Sequence, residues 1–301
     1  MKIKIGKKFV GSDCPVFLIA EIGSNHNQDF SLALRHIDAA AEAGVDAVKF
    51  QTFKAENHVS KYAKMPDYLT GYKNMHELIK SLELDRGWQK SLKEYAESKG
   101  LIFFSSPCDY DAVDQLEALN VSAHKIASFD LPDLDLVRYI ARTNKPILIS
   151  TGLADWMDIQ RAVDACRKEG NEKIILFQCT SLYPAPVGLS HLKAMKTIHD
   201  AFNVVTGYSD HTIGDTIPIA AVAMGASIIE KHFTLDKNFP GPDHAFAIEP
   251  NELKAMVEKI RIVESAFGDG SKNGPRTEEM DMYKKGRRSL HAATTIRKGQ
   301  V

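Results

Sequence analysis

Short runs of apolar residues recur along the chain, each followed by a polar turn and then an amphipathic segment. The runs are rich in β-branched and aromatic residues, which predicts strands, and the segments between them predict helices. Because the runs are almost continuously apolar, the strands should be buried on both faces, as in a parallel sheet. The predicted strands are Phe17–Gly23, Ala47–Phe53, Ile102–Pro107, Ala123–Ser128, Ile147–Thr151, Ile174–Thr180, Val204–Asp210 and Ser227–Thr234.

Helical patterns alternate with these strands. Capping residues such as Ser31 and Asp158 are predicted to open some of the helices, and glycines such as Gly44 and Gly170 to close others. The predicted helices are Ser31–Ala43, Arg86–Ser98, Ala112–Leu119, Leu134–Arg142, Trp156–Lys168, Ser190–Ala201, Thr216–Met224 and Asn251–Ala266.

Strand-helix units repeated about eight times in about 250 residues are typical of a (β/α)8 TIM barrel. A doubly wound open sheet is disfavoured, because no G-x-G-x-x-G follows the first strand. The sequence therefore predicts an α/β fold with the catalytic barrel over residues 1–266 and a linker and further segment over residues 267–301. The stretch Lys54–Asp85, with Pro66 and Gly71, is too long for an ordinary βα loop and predicts a functional excursion at the barrel mouth.

Charge and composition exclude several classes. The chain has 301 residues, 44% of them hydrophobic and 26% charged, and Lys and Arg total 38 against 39 Asp and Glu. This balance predicts neither nucleic-acid nor membrane binding. The one basic run, residues 284–288, is expected to be a solvated segment. Scattered cysteines, no apolar leader and no long apolar window predict a soluble cytoplasmic protein with reduced thiols.

Reactive side chains concentrate at the carboxyl ends of the predicted strands, where TIM-barrel active sites lie. Residues two apart in a strand share a face, so Lys49 and Gln51 can both point into the barrel, as can Glu230 and His232. The polar residues at these ends include Glu21, Lys49, Gln51, Ser106, Lys125, Ser128, Asp130, Ser150, Ser181, Tyr183, Ser209, Asp210, His211, Glu230 and His232.

Lysines inside a barrel are costly unless they meet an anion. Lys49 and Lys125, with hydroxyls from Ser106, Ser128, Ser150 and Ser209, describe a site for a phosphate or carboxylate. An alternative, which can coexist with this one, is that the lysines pair with strand-end carboxylates such as Glu21.

His211 and His232 end neighbouring predicted strands and could converge on one divalent ion, or could be ordinary buried histidines. A mixed nitrogen, oxygen and water site suits Mn²⁺, Zn²⁺ or Fe²⁺ better than Ca²⁺. The residues alone therefore suggest an anion-binding lyase or transferase barrel with a metal Lewis acid.

Six motifs resemble the sialic acid synthase (N-acetylneuraminate synthase) family, which includes the legionaminic and pseudaminic acid synthases and the spore-coat polysaccharide synthases. Gly241-Pro242-Asp243-His244 adds to the match, and the resemblance covers about Val16 to Ala266. The motifs are Ile19-Ala20-Glu21-Ile22-Gly23-Ser24-Asn25-His26, Val48-Lys49-Phe50-Gln51-Thr52, Ser150-Thr151-Gly152, Cys179-Thr180-Ser181-Leu182-Tyr183-Pro184, Gly207-Tyr208-Ser209-Asp210-His211-Thr212 and Glu230-Lys231-His232-Phe233-Thr234.

The resemblance implies an enzyme that condenses phosphoenolpyruvate with an N-acetylated aldose, typically N-acetylmannosamine or a 6-deoxy relative, to give a nonulosonic acid and phosphate. It implies His211 and His232 as ligands of a metal that is usually Mn²⁺, with Mg²⁺ or Co²⁺ also compatible. It implies Glu21, Lys49 and Lys125 as catalytic residues, with Asp130 in the place of a second carboxylate that is usually Glu. The implied substrate-binding residues are Ser106, Ser128, Ser150, Ser181, Ser209 and Asp210 around phosphoenolpyruvate, and Gln51, Tyr183 and Asp243 around the sugar.

The acceptor stays open, because Ala127-Ser128-Phe129 resembles the pseudaminic branch and Gly241-Pro242-Asp243-His244 the sialic and legionaminic branch. Two alternatives remain: a condensing barrel of the 3-deoxy-octulosonate phosphate type, and a catalytically silent binding barrel. Arg297-Lys298-Gly299 resembles the start of the family's antifreeze-like C-terminal domain, which is expected to be absent or cut off here. In relatives this domain reaches over a partner subunit, so the resemblance also implies a homodimer.

Overall fold

The computed structural model of the chain describes residues 1–64 and 73–300, and these form a closed barrel of eight parallel strands. A short antiparallel hairpin of β1 (Lys2–Ile5) and β2 (Lys8–Gly11) precedes the barrel. The barrel strands are β3 (Phe17–Gly23), β4 (Ala47–Thr52), β5 (Ile102–Pro107), β6 (His124–Ile126), β7 (Ile147–Ser150), β8 (Ile174–Cys179), β9 (Val205–Asp210) and β10 (Ile228–His232). The last strand pairs with β3 and closes the barrel.

Helices follow the barrel strands along the chain, so the predicted (β/α)8 TIM barrel is confirmed. The α-helices of the described residues are α1 (Phe30–Ala43), α2 (Ala55–His58), α3 (Met75–Ser81), α4 (Gln89–Ser98), α5 (Tyr110–Ala118), α6 (Leu134–Ala141), α7 (Trp156–Lys168), α8 (Ala194–Phe202), α9 (Thr216–Ala223), α10 (Pro250–Ala266) and α11 (Met280–Gly286).

The barrel interior has apolar layers below and polar layers above. On β3, Phe17 and Ile19 belong to an inner apolar cluster that also contains Phe104 and Phe177 from other strands. The next residue on the same face is Glu21, at the carboxyl end of the strand. Ile5 of the hairpin joins this inner cluster, so the hairpin packs on the barrel residues that lie farthest from the polar layer. The packed lower layers leave room for a site only at the carboxyl ends.

Local details differ from the sequence prediction. The sequence pattern does not predict the hairpin, because its strands of four residues, KIKI and KFVG, are too short to show a clear periodicity. Helix α1 is capped by Asp29, whose carboxylate accepts the backbone N–H of Ser31, so Ser31 itself is not the cap. Asp155 caps α7, and Asp158, the third residue of the helix, completes the same capping box.

The excursion predicted over Lys54–Asp85 contains α2 and α3, and its residues 65–72, with Pro66 and Gly71, lie outside the described residues. The chain divides into two compact units, Met1–Glu264 and Ser265–Val301. In the second unit the basic run at residues 284–288 is fully exposed.

Candidate active site

Four charged side chains meet at the carboxyl end of the barrel, and all are almost completely buried. Glu21 Oε2 lies 2.8 Å from Lys49 Nζ, because parallel register places the two residues side by side on β3 and β4. Glu230 Oε1 lies 3.5 Å from Lys125 Nζ and 3.8 Å from Lys49 Nζ. Two carboxylates therefore balance two lysines, which is the pairing alternative left open by the sequence.

The two lysines differ in how well the carboxylates compensate the cost of their burial. Burial opposes the charge of Lys49, but Glu21 and Glu230 outweigh it and raise the pKa of Lys49 above its ordinary value. Burial lowers the pKa of Lys125, which among the described residues has only Glu230 as a carboxylate within salt-bridge distance. Lys125 is therefore the lysine whose charge a bound anion would stabilise most.

Serine hydroxyls and one glycine complete the wall around the lysines. Ser106 and Ser150 accept hydrogen bonds from Lys49 at 3.2 Å and from Lys125 at 2.6 Å, respectively. Ser181 Oγ is buried with no hydrogen-bond partner among the described residues. A Cβ added at Gly152 would lie 2.3 Å from that oxygen, so only glycine fits the narrow space beside the hydroxyls of Ser181 and Ser128. A buried hydroxyl that lacks a partner in this part of the chain fits an oxyanion ligand.

Two neutral histidines lie at the ends of β9 and β10, with ring centroids 5.3 Å apart. His211 Nδ1 donates to the carbonyl of Thr180 at 2.7 Å, which leaves the Nε2 lone pair free. His232 Nδ1 is buried without a hydrogen bond, 3.6 Å from Asp243 Oδ2. Burial lowers the pKa of both imidazoles. Histidine binds metals as the neutral imidazole. A backbone carbonyl orients the ring of His211, and His232 has a buried nitrogen that lacks a hydrogen bond among the described residues, so the pair fits a divalent ion.

A cavity of about 650 Å³ opens beside His232. Its polar wall includes Gln51, Tyr183 and Asp243, the residues implied for sugar contact. Its apolar wall comes largely from α3 and the strand end before α2, in the excursion expected at the barrel mouth. The described lining residues are Ser24, Gln51, Phe53, His58, Met75, Leu78, Ile79, Leu82, Ser106, Cys108, Ala127, Phe129, Asp130, Tyr183, His232, Gly241, Pro242 and Asp243.

Asp130 lies in this wall with two neighbours that the sequence did not single out. Cys108 Sγ donates to Asp130 Oδ2 at 3.4 Å, and His58 Nδ1 lies 3.9 Å from Asp130 Oδ1. Burial raises the pKa of Asp130. One ligand atom from each of the three side chains lies within 4.8 Å of the others, so among the described residues this group could hold a metal ion.

Asp210, expected around phosphoenolpyruvate, lies elsewhere. Its carboxylate pairs with Lys231 Nζ at 2.5 Å and accepts the backbone N–H of Thr212 at 3.0 Å. Adjacent strand residues face opposite sides, so Asp210 points away from the lumen that Ser209 faces. Conversely, the sequence predicts Glu230 inside the barrel without a role there, and the structure adds it to the site; its position two residues before His232 on β10 is the signal that points to it.

The fold and the site together define a TIM-barrel enzyme with buried lysines, neutral histidines and a sugar-sized cavity at the carboxyl end of its strands. The chain belongs to the NeuB family, whose sequence pattern matches residues 36–272. It is an enzyme of the N-acetylneuraminate synthase type.

Three relatives illustrate the similarity. The N,N'-diacetyllegionaminic acid synthase of Campylobacter jejuni is 42% identical over 290 residues, which cover 94% of this chain and 86% of that protein. The crystal structure of the spore coat polysaccharide biosynthesis protein SpsE of Bacillus subtilis is 44% identical, with a TM-score of 0.78 over 88% of this chain and 72% of that one. The N-acetylneuraminic acid synthetase of Leptospira borgpetersenii, in complex with citrate, is 33% identical, with a TM-score of 0.86 over 94% of this chain and 95% of that one.

None of the helices in the described part of the chain is long and apolar enough to cross a bilayer.

Proposed function

We propose that this chain condenses phosphoenolpyruvate with an N-acetylated aldose, giving a nonulosonic acid and inorganic phosphate for surface polysaccharide. The observation that carries the proposal is the pair of buried lysines, Lys49 and Lys125, beside two neutral histidines and a 650 Å³ cavity. A substrate with two anionic groups would meet the lysines, and a neutral sugar would fill the cavity. Membership of the NeuB family supports the same reaction class.

Phosphoenolpyruvate would lie at the end of the barrel lined by lysines and hydroxyls. Lys125 and Ser150, joined at 2.6 Å, bind one of its anionic groups, and Lys49 binds the other. Ser128 accepts the backbone N–H of Gly152 at 3.1 Å, and both border the space into which Ser181 Oγ points. These hydroxyls supply hydrogen bonds to phosphate oxygens without adding charge.

The metal role falls to His211 and His232, with Mn²⁺ as the proposed ion. A divalent ion held there supplies Lewis-acid polarisation of the sugar's aldehyde carbonyl. The ring of Tyr183 lies next to that of His211, with ring centroids 4.4 Å apart, and Asp243 adjoins His232. These two side chains, with Gln51, orient the acceptor in the cavity.

The bonds change in a balanced sequence. C3 of phosphoenolpyruvate bonds to the aldehyde carbon, whose oxygen takes a proton from solvent, and positive charge develops at C2. Glu21 accepts one proton from the water whose oxygen bonds to C2 and returns it to solvent. The C2–O bond to phosphate then breaks, the C2 hydroxyl becomes the keto group, and its proton leaves with the phosphate. Burial raises the pKa of Glu21, which suits a group that must take and return a proton. Asp130 provides a second carboxylate in the cavity wall.

The acceptor is proposed to be unphosphorylated. Among the described residues that line the cavity there is neither a lysine nor an arginine. A barrel of the 3-deoxy-octulosonate phosphate type needs a basic site for its phosphorylated acceptor. Homodimer formation, which follows from the family resemblance, and a cytoplasmic location, which follows from the scattered cysteines, complete the proposal.

The experiment is a panel of aldoses assayed with phosphoenolpyruvate and Mn²⁺, and again with a chelator. We expect phosphate release with an unphosphorylated N-acetylated aldose, a matching product mass, and loss of both with the chelator. Phosphoenolpyruvate labelled with ¹⁸O at its bridging oxygen should deliver the label to phosphate. His211→Ala should lose turnover and Mn²⁺ binding. Gly188→Ala, whose added carbon meets nothing within 4 Å, should lose neither. A preference for the 6-phosphate sugar, or full turnover by His211→Ala, would contradict the proposal.

A further inference from the structure

A second group of possible metal ligands lies in the wall of the cavity. It consists of three side chains and is separate from His211 and His232, which were proposed above to hold the catalytic metal. His58 is the last residue of α2, Cys108 follows β5, and Asp130 lies in the turn after β6. All three line the cavity of about 650 Å³. We call this group the cavity-wall triad. It is built from three different loops at the carboxyl end of the barrel, where ligand sites of this fold form.

The spacing of the triad suits a small tetrahedral ion. Ligands at 2.0–2.3 Å from a tetrahedral centre lie roughly 3.3–3.7 Å from one another. Cys108 Sγ and Asp130 Oδ2 are 3.4 Å apart, and His58 Nδ1 and Asp130 Oδ1 are 3.9 Å apart. One ligand atom from each side chain lies within 4.8 Å of the other two, so a closure of about 1 Å would bring the three to one ion.

The triad is also held in place by its surroundings. The His58 ring stacks on Phe53 with centroids 5.6 Å apart and an angle of 20° between the planes. The backbone N–H of Cys108 donates to Thr52 O at 3.1 Å, and that of Asp130 donates to Ala127 O at 3.0 Å. An ion would therefore meet a largely ordered set of ligands.

We propose that His58, Cys108 and Asp130 bind a thiophilic divalent cation of the Zn²⁺ class, with a fourth coordination position that faces the cavity. The thiol proton leaves to solvent and Cys108 binds as the thiolate. One thiolate and one carboxylate then neutralise the charge of the ion. An imidazole, a thiolate and a carboxylate with one open position form a zinc-type donor set, unlike the thiol-free pair His211 and His232.

The hydrogen bond within the free site agrees with this assignment. Without an ion the thiol keeps its proton and donates it to Asp130. A cation would replace that proton between the same two atoms. Lys125 and Asp133 are the other charged groups that act on Asp130.

The test uses Co²⁺ as a spectroscopic probe of the whole chain, so its readout does not depend on catalysis. We expect a thiolate-to-cobalt charge-transfer band that Zn²⁺ removes by competition. Cys108→Ser should abolish the band and His58→Ala should weaken it. Cys14→Ser, a half-buried free cysteine outside the cavity, should keep it. The double variant His211→Ala/His232→Ala should also keep it, which separates this site from the proposed catalytic metal.

A second measurement needs no variant and therefore does not depend on how a variant folds. Zn²⁺ should slow alkylation of Cys108 by iodoacetamide at least tenfold, read by peptide mass spectrometry, while the alkylation of Cys14 stays unchanged. Bound Co²⁺ without a charge-transfer band, a band that persists in Cys108→Ser, or alkylation of Cys108 that Zn²⁺ does not slow would overturn the proposal.

Discussion

The carboxylate of Glu230 lies 3.5 Å from the ammonium of Lys125, with both side chains buried in the polar layer of the barrel. Ser209 also donates to the same carboxylate, at 3.1 Å. Lys125 and Lys49 outweigh the effect of burial and lower the pKa of Glu230, so the carboxylate is ionised and serves as the internal counter-ion of the lysines. A bound anion would share this role with Glu230 or take its place as the counter-ion of the lysines.

The first prediction concerns this counter-ion. Glu230→Gln leaves one more positive charge than negative in the buried group, so the free energy of unfolding should fall by about 3 kcal/mol. Inorganic phosphate should restore stability more in the variant than in the unmodified chain, which denaturant unfolding with and without phosphate would measure. Asp200→Asn, whose pair with Lys196 is exposed, should change stability by less than about 1 kcal/mol. Equal stabilisation of both chains by phosphate would contradict the prediction.

The second prediction concerns Gly152. A Cβ there would lie 2.3 Å from Ser181 Oγ, 2.8 Å from Cys179 Sγ and 2.9 Å from Ser128 Oγ. Gly152→Ala should therefore weaken phosphoenolpyruvate binding at least about tenfold, a loss of about 1.4 kcal/mol. Calorimetric titration would measure it. Gly188→Ala has nothing within 4 Å of the added carbon and should bind normally. Equal affinities in the two variants would show that this space is not the anion site.

The third prediction separates two adjacent residues of β9. Asp210→Asn should cost about 3 kcal/mol of stability, because it leaves Lys231 buried without a counter-charge, and should leave the KM for phosphoenolpyruvate unchanged. Ser209→Ala should do the reverse, with a higher KM and a stability loss of about 1 kcal/mol. Unfolding curves and steady-state kinetics on both variants provide the comparison. A raised KM in Asp210→Asn alone would return Asp210 to the substrate site.

The fourth prediction is acid sensitivity from a buried histidine. Burial lowers the pKa of His36 from 6.5 to about 4, and its Nδ1 bonds to Leu32 O at 2.8 Å. The unfolded chain therefore binds the proton more tightly, so the stability contributed at pH 7 is lost as the pH falls from 6.5 towards 4. The loss should be on the order of 1–3 kcal/mol.

His36→Asn keeps a donor for Leu32 but cannot titrate, so its stability should depend less on pH over this range. The exposed His291→Asn should follow the unmodified chain. Thermal denaturation at pH 7, 5.5 and 4.5 would measure the slopes, and identical slopes for all three chains would refute the assignment.

The hydrophobic pattern predicted the barrel strands well because barrel strands are buried on both faces. Strand Ile102–Pro107 and helix Trp156–Lys168 have the predicted bounds. Strand Ala123–Ser128 was predicted too long, because the chain turns after β6, with Asp130 N–H donating to Ala127 O. Apolar periodicity marks buried segments but carries no information on where a backbone turn begins.

The residue pattern alone predicts that polar side chains gather at the strand ends and that Lys49 and Lys125 lie inside the barrel. Which of these polar side chains contact one another depends on the tertiary structure. Strand register placed Glu21 beside Lys49, and barrel closure brought Glu230 of the last strand near Lys125 of the fourth barrel strand. Three loops far apart in the chain brought His58, Cys108 and Asp130 together. Side-chain alternation is a local property that a sequence displays, whereas contacts across a closed barrel depend on every strand's register at once.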